Sequence, residues 1–357
     1  MSTQGNLRIN SARLWDSLME MAKIGATPGG GCNRQTLTDV DREGRALFRR
    51  WCEDAGLTVG VDDMGTMFAR RPGRNNDLAP VATGSHLDTQ PTGGKYDGVL
   101  GVLAGLEVVR TLNELGIVTE RPIEVINWTN EEGCRFGPAM LASGVFAGTH
   151  PRDWALARKD AQGTTFGEAL DGGGFAGDEK TGARKLHAYV ELHIEQGPIL
   201  EAEGCEIGVV TTGQGFRWFD VTLKGRDSHT GATPMARRFD ALLGASRIVE
   251  QVHQIALKHP NSVGTVGFME VSPNSRNVIP GLVKFTVDFR HVDGDALAIA
   301  NACGVAFGGR EFLVRRFRVV APDSTARVEL PAGVESRRLA NAVLRLTGIR
   351  GRAGVEE

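Results

Sequence analysis

The chain has 357 residues, a formal net charge of −2, 41% hydrophobic residues and 24% charged residues. This composition is that of an ordinary globular protein long enough for two domains, and it favours neither a nucleic-acid nor a membrane partner. The five cysteines form no C-x-x-C pair, which argues against a disulfide framework or a cysteine zinc site. The N-terminal residues lack an apolar signal core, and we expect a cytoplasmic protein.

Helical and strand patterns alternate along the first 213 residues. The first two helices are predicted at 11–24, with Ser11 as the cap, and from the cap Thr38 to about Asp54. Strands are predicted at 57–63, 66–71, 80–89, 122–132 and 187–197, and further helices at 98–115, about 138–147 and 151–158. This alternation predicts an α/β fold with a mostly parallel sheet covered by helices.

The pattern changes after residue 213. It predicts a compact α+β unit with strands at 216–225, 263–271, 283–290 and 312–320 and helices at about 235–258 and 294–303. We therefore expect a first domain over 1–213, a second over 214–325, and a remnant or divergent return to the first domain over 326–357.

Histidines and carboxylates stand at or near the predicted ends of strands in the first 200 residues. They are His86, Asp88, Asp97, Glu131, Glu132 and His193. Such side chains are ligands for a divalent metal, and α/β folds place their sites at strand ends. Because side chains alternate along a strand, the Asp88 carboxylate is predicted to face His86 and orient its ring. By the same alternation, His193 is predicted to share a strand face with Glu191 and Glu195.

Each of these patterns also has an ordinary structural explanation. His86 fits a core histidine, Asp97 a helix N-cap, Glu131 and Glu132 a solvated strand end, and His193 a polar face of an edge strand. Taken together they favour a metal centre, with Asp97 between two metals and Glu132 held by one of them. Glu131 is then free to act as a general base.

Three segments carry a family resemblance: GSHLDTQPTGGKYDGVLGVLAG, NWTNEEGCRF and ELHIEQGPILE. Together they resemble the M20-type metallohydrolases, more narrowly the hydantoinase/carbamoylase branch, over about residues 5–293. The resemblance implies an amidohydrolase that converts N-carbamoyl-L-amino acids or N-carbamoyl-β-alanine into amino acid, ammonia and carbon dioxide. It leaves open an allantoate amidohydrolase, an M20 aminoacylase or peptidase, and a non-catalytic remnant of the family.

The resemblance also implies roles for individual residues. Two divalent ions (Zn, Mn or Co) are expected, one held by His86, His193 and a bridging Asp97, the other by Asp97 and Glu132. Glu131 would be the base and Asp88 the residue that orients a ligand. In the second domain, His229 would stabilise an oxyanion, and the residues implied to bind the substrate are Gln196, Asn277 and Arg290. That domain is expected to form a homodimer in which His229 and Asn277 reach the neighbouring site.

The C-terminal part departs from this pattern. The family completes its second metal site with a histidine in a late GHDA-like motif, yet no histidine follows His291 here. From residue 303 onward the chain has ten arginines and no lysine. One hypothesis is a frameshifted or prematurely ended reading frame, and the alternative is divergence, since 331–346 keeps a helical period. Either way, we expect an incomplete second metal site and weak or absent activity.

Overall fold

The computed structural model describes residues 7–294, 297, 313–321 and 324–328, the last two ranges by their backbone alone. The predicted helix at 331–346 and most of the one at 294–303 lie outside the described residues. The chain divides into two compact units between Ile207 and Gly208. No helix in the described ranges is long and apolar enough to cross a membrane.

The first unit has seven helices in the described residues, and the first five follow the predicted pattern. The seven are α1 (Ser11–Met21), α2 (Asp39–Asp54), α3 (Val99–Glu114), α4 (Leu141–Phe146), α5 (Arg152–Leu156), α6 (Phe166–Gly172) and α7 (Ile199–Ala202). Thr38 caps α2 as expected, and its side chain accepts from the amide of Asp41. The cap of α1 is Asn10 and not Ser11, because the Asn10 side chain accepts from the amide of Arg13 at 3.0 Å.

A five-stranded mixed sheet forms the centre of the first unit. Its strands are β1 (Thr58–Val61), β2 (Met67–Arg71), β3 (Val81–His86), β4 (Ile123–Trp128) and β5 (Ala188–Val190), in the order β1-β2-β4-β3-β5. β3 runs parallel to β4 and β5, whereas β2 pairs antiparallel with β1 and β4. The α/β class is confirmed, and the parallel arrangement is confined to three strands because β1 and β2 form a hairpin.

The hydrophobic core of this unit lies between the sheet and the first three helices. Met21 of α1, Phe48 of α2 and Leu106 of α3 are fully buried there, together with Val125 of β4. Burying side chains of this size contributes about 1.5–3 kcal/mol each. This packing holds the carboxyl ends of β3 and β4, which carry the candidate site.

β5 is much shorter than the predicted strand at 187–197. Its pairing with β3 ends where Val190 faces Thr83. Beyond it the chain leaves the ladder, and the Leu192 carbonyl lies against Gly101 of α3, where an added Cβ would come within 2.4 Å of it. His193 therefore stands outside a strand, and the prediction that it shares a strand face with Glu191 and Glu195 is wrong.

The second unit is an antiparallel sheet with one long helix. In chain order its elements are β6 (Gly215–Lys224), β7 (Ser228–His229), α8 (Ala241–Lys258), β8 (Val263–Ser272), β9 (Val278–Ile279), β10 (Leu282–His291), β11 (Leu313–Ala321) and β12 (Ser324–Val328). The five long strands have the order β12-β11-β6-β10-β8, and β7 pairs separately with β9. Leu223, Ile248 and Val283 are buried between helix and sheet. The predicted helix begins late, at Ala241, because Asp240 caps it.

Candidate metal centre

Three of the predicted ligands meet in the first unit. His86 is the last residue of β3, Asp97 lies in the loop before α3, and His193 follows β5. One candidate ligand atom of each lies within 4.8 Å of the others. The Asp97 Oδ1 atom is 3.2 Å from His193 Nε2 and 4.0 Å from His86 Nε2. The structure thus brings together residues that the sequence separates by more than one hundred positions.

Both imidazole rings are oriented by backbone carbonyl groups. His86 Nδ1 is 2.8 Å from the carbonyl oxygen of Asp88, and His193 Nδ1 is 2.8 Å from that of Ile194. A carbonyl oxygen can only accept, so each Nδ1 carries a proton. Whenever the ring is neutral, its lone pair is therefore on Nε2, the nitrogen nearer to Asp97, as a metal-ligating histidine requires. The donor set therefore fits a divalent metal ion.

Asp88 orients the His86 ring through its backbone carbonyl and not through its carboxylate. Its Oδ1 atom is 3.9 Å from His86 Nδ1. The carboxylate instead accepts from the backbone amides of Glu131 at 3.3 Å and Glu132 at 3.2 Å. The predicted alternation fails because β3 ends at His86, before Asp88. Burial raises the pKa of Asp88 to about 6.

Asp97 is not a helix cap, because Gly98 occupies the N-cap position of α3. Gly98 has φ +67°, and an added Cβ there would lie 2.3 Å from His86 Nε2. Glycine is needed at this position for both its backbone conformation and its close approach to the ring. The hydrogen bond from His193 lowers the pKa of Asp97 and, reciprocally, raises that of His193 to about 9.

Glu131 places a carboxylate beside the group of three. Its Oε2 atom is 3.3 Å from His86 Nε2. Partial burial raises the pKa of Glu131, and His86 opposes that rise while Asp88 and Glu132 add to it. Burial disfavours a charged His86, but Asp88 and Glu131 outweigh it and raise the pKa of the imidazole. A carboxylate with a raised pKa next to a candidate ligand histidine is suited to exchange protons with a reacting molecule.

Glu132 lies outside the group formed by the other three ligands. Its Oε2 atom accepts from Gln90 Nε2 at 3.0 Å. The Oε1 atom is buried and makes no hydrogen bond. A buried acceptor without a partner is compatible with a nearby cation, and the second-metal role of Glu132 stays a prediction.

Two further sets of contacts were not expected from the sequence. Gln196 donates from Nε2 to Asp97 Oδ2 at 2.5 Å, although the resemblance implied a substrate contact for it. Glu191 accepts from Ser85 at 2.6 Å and from Tyr189 at 2.8 Å, and the Tyr189 hydroxyl accepts from Trp128 at 3.0 Å. These contacts tie the ends of β3, β4 and β5 together. Serine, tyrosine and tryptophan are ordinary strand residues, and only the Glu191 carboxylate could have drawn notice.

The remaining predicted residues belong to the second unit, where all three are exposed. His229 Nδ1 accepts from the amides of Gly231 at 3.0 Å and Ala232 at 3.1 Å, which leaves the proton of the neutral ring on Nε2. Asn277 accepts at Oδ1 from the Ser275 hydroxyl. Arg290 donates from Nε and Nη2 to Asp288 Oδ2. All of these contacts are with other residues of the second unit.

Two histidines and a carboxylate beside a glutamate, at the strand ends of an α/β sheet, define the class of metal-dependent hydrolases. Residues 82–345 match the model of the peptidase family M20/M25/M40. The chain belongs to this family, whose members are metal-dependent and act on small-molecule substrates. The predicted family is thereby confirmed.

Similar proteins place the chain within the family. It is 64% identical over 289 residues to an N-carbamoyl-L-amino-acid amidohydrolase of Rhizobium meliloti, covering 81% of this chain and 70% of that protein. An N-carbamoyl-L-amino acid amidohydrolase of Geobacillus stearothermophilus is 43% identical over 291 residues, with 80% and 71% covered. A solved hydantoinase/carbamoylase family amidase from Burkholderia vietnamiensis aligns with a TM-score of 0.76 at 60% identity, covering 85% of this chain and 73% of that one. These likenesses confirm the predicted branch.

Proposed function

We propose that the chain hydrolyses the carbamoyl C–N bond of N-carbamoyl-L-amino acids, releasing the amino acid, ammonia and carbon dioxide. The observation that carries this proposal is the meeting of His86, Asp97 and His193 with Glu131 3.3 Å from His86. The identity with N-carbamoyl-L-amino-acid amidohydrolases supports the choice of substrate. N-carbamoyl-β-alanine is a further candidate substrate.

His86, Asp97 and His193 would hold a divalent ion, with Zn²⁺, Mn²⁺ and Co²⁺ all suited to these ligands. Such an ion would polarise the carbonyl group to be attacked and make a nearby water molecule more acidic. Asp97 and Glu132 are the candidates for a second ion. Two carboxylates alone would hold a second ion weakly, because such a site ordinarily has more protein ligands.

Glu131 would move the proton in this reaction. Its carboxylate would accept a proton from the water that attacks the ureido carbon, then deliver it to the leaving nitrogen of the amino acid. The raised pKa of Glu131 suits both steps, because the group must take up and release a proton near neutral pH. Asp88 supports Glu131 by accepting from its backbone amide.

Residues of the second unit would contribute to binding. His229 presents a proton on Nε2 and would donate it to the oxyanion. Arg290 would bind the free carboxylate of the substrate through its guanidinium group, with Asn277 as a further contact, and Gln196 of the first unit is the remaining candidate. The dimer through which His229 and Asn277 would act on a neighbouring site, and the cytoplasmic location, are predictions from the sequence.

A substrate panel tests the proposal. The full chain, loaded with Zn²⁺, Mn²⁺ or Co²⁺, is incubated with N-carbamoyl-L-amino acids, allantoate and N-acetyl-L-amino acids, and free amine and ammonia are measured. We expect slow but detectable turnover of the carbamoyl compounds, absent in Glu131→Gln. Preference for allantoate or for acyl compounds would favour the corresponding alternative enzyme. Metal-loaded protein that hydrolyses none of them would be a non-catalytic family member.

A further inference from the structure

A buried arginine contacts the loop that follows His86. Arg34 is fully buried, and its side chain lies against α2 at Gly44, where an added Cβ would come within 2.8 Å of Arg34 Cδ. Within the described part of the chain, its guanidinium donates to carbonyl oxygens and one sulfur, not to a carboxylate. A guanidinium keeps its charge in proteins, and an apolar side chain of similar size would ordinarily be less costly to bury. The place of this charge therefore needs an explanation beyond the packing of the core.

The guanidinium of Arg34 joins two segments of the first unit. Its Nη1 donates to the carbonyl oxygens of Met21 at 3.1 Å and of Ile24 at 2.7 Å, at the end of α1. Carbonyl groups at the end of a helix carry partial negative charge, so they compensate the buried cation. Its Nε donates at 2.8 Å to the carbonyl oxygen of Leu87, the residue after His86. One planar group thus fixes the loop after β3 against the end of a helix.

The backbone of Arg34 holds the same loop. Its amide donates to the Thr89 hydroxyl at 2.7 Å, and its carbonyl oxygen accepts from the Thr89 amide at 2.9 Å. Together with the bond to Leu87, this makes three hydrogen bonds between one residue and the loop. The bonds are made on both sides of Asp88, so they restrain the position of Asp88 itself.

Asp88 connects this loop to the candidate site. Its carbonyl oxygen lies 2.8 Å from Nδ1 of His86, and its carboxylate accepts from the amides of Glu131 and Glu132. We propose that Arg34 is a positioning residue for the metal centre, a proposal that rests on the metal-dependent function given above. By holding the residues on both sides of Asp88, it fixes the direction of the His86 ring and the place of the Glu131 backbone. It acts through the backbone of residues 87–89, so it needs no contact with ion or substrate.

Metal affinity tests the proposal without any substrate. Arg34→Lys keeps the charge and a donor for the end of α1, but it has no donor at the position of Nε, which faces Leu87. Competition with a chromophoric chelator should show Zn²⁺ and Co²⁺ binding about 10- to 100-fold more weakly than in the unmodified protein. The absorption spectrum of bound Co²⁺ should change as well, because the His86 ring changes its direction.

Arg71→Met is the matched control for Arg34→Met. Arg71 is also buried, and its guanidinium donates to Asn113 Oδ1 at 2.7 Å and to the Ile117 carbonyl oxygen at 2.6 Å, near the end of α3. Each methionine variant leaves buried acceptors without a donor, so both should lower the free energy of unfolding. Only Arg34→Met should weaken metal binding.

Hydrogen exchange of the metal-free protein separates positioning from a general loss of stability. Peptides that contain the amides of Thr89, Glu131 and Glu132 should exchange faster in Arg34→Lys, because these amides bond to Arg34 or to the loop that it holds. Peptides from α6 should exchange as in the unmodified protein. Thr89→Val is a milder variant that removes the hydroxyl acceptor of the Arg34 amide, and it should weaken metal binding by a smaller factor, about 2- to 10-fold.

Three results would overturn the proposal. One is an unchanged metal affinity in Arg34→Lys, or in Thr89→Val if the lysine variant does not fold. Another is an equal loss of metal affinity in Arg71→Met. The third is exchange that becomes faster throughout the first unit to the same extent, which would make Arg34 a structural residue alone. If the metal and exchange results hold and no carbamoyl compound is hydrolysed, the proposed function fails and the positioning role of Arg34 stands.

Discussion

Glu131 and Glu132 are neighbours in the sequence, but their side chains have different surroundings. The first contacts His86, and the second accepts from Gln90. For Glu131→Gln we predict a loss of hydrolysis of about 10²- to 10⁴-fold, the usual contribution of a general base. Metal content should be unchanged, because Glu131 is outside the group of three. Kinetics and elemental analysis of the same preparation check both, and a variant with near-normal turnover would exclude this base.

Gly98 supports a second prediction at this scale. Alanine there would adopt an unfavourable positive φ and place its Cβ 2.3 Å from His86 Nε2. We expect Gly98→Ala to bind metal at least tenfold more weakly, because the ring must move. The matched control is Gly94→Ala in the same loop, where nothing lies within 4 Å of the added Cβ. Equal affinities for the two variants would contradict the geometry.

Asp62 gives a prediction on pH and stability. Its Oδ1 accepts from the amides of Met64 and Thr66, whereas Oδ2 is buried without a hydrogen bond. Burial raises its pKa from 3.8 to about 6. The folded state therefore binds this proton more tightly than the unfolded state, and stability from this group is lost as the pH rises from about 4 through 6.

Asp62→Asn cannot ionise, so we expect it to gain stability relative to the unmodified protein as the pH rises over that range. The gain should be on the order of 1–3 kcal/mol at pH 7. Denaturant unfolding at pH 4, 5, 6 and 7 measures the difference. A difference that does not vary with pH would show that the carboxyl ionises equally easily in both states.

At the scale of elements, periodicity predicted most helices and the long strands, because apolar side chains repeat with the period of a helix in the former and of a strand in the latter. The errors concern where a strand ends and in which direction strands run. β5 is short because Leu192 leaves the ladder against α3, a tertiary contact that local sequence does not encode. The hairpin of β1 and β2 limited the parallel sheet to three strands, since strand patterns do not reveal direction.

Helix caps offer a direct test at this scale. Thr38→Ala should lower the free energy of unfolding by about 1 kcal/mol, because the amide of Asp41 loses its acceptor. Asn10→Ala should have a similar effect on α1. Ser11→Ala is the control, since Ser11 was the predicted cap and the structure assigns that role to Asn10. Chemical denaturation measures all three, and a large loss for Ser11→Ala would contradict the assignment.

For the whole molecule, the sequence predicted the family and picked out the three residues that meet, because their motifs are local. It did not predict the Gln196–Asp97 contact or the Ser85–Glu191 contact, because these join segments about one hundred residues apart. The orientation of His86 also depended on a strand end that the alternation missed. Contacts between distant segments become visible only in the folded structure, whereas the residue types that suit a metal site can be recognised in the sequence.

Removing the metal should destabilise the molecule. A ligand that binds only the folded state stabilises it by about 2.7 kcal/mol at one hundred times its dissociation constant. We therefore expect a chelator to lower the unfolding temperature, and Zn²⁺ or Co²⁺ to restore it. Thermal unfolding followed by circular dichroism checks this, with His193→Ala as a control that should respond to neither. Identical curves with and without chelator would mean that no ion is bound.

The distance along the chain between His86 and His193 has a consequence for how the protein opens. An ion bound to both is a cross-link that closes a loop of more than one hundred residues, and for a covalent link of that span the polymer entropy corresponds to about 4–5 kcal/mol. Nearly every residue from 192 to 207 is exposed, and beyond the contacts of Glu191 this stretch is held near the sheet chiefly around His193. Loss of the ion would then release the stretch first, and proteases would cut there before the sheet comes apart.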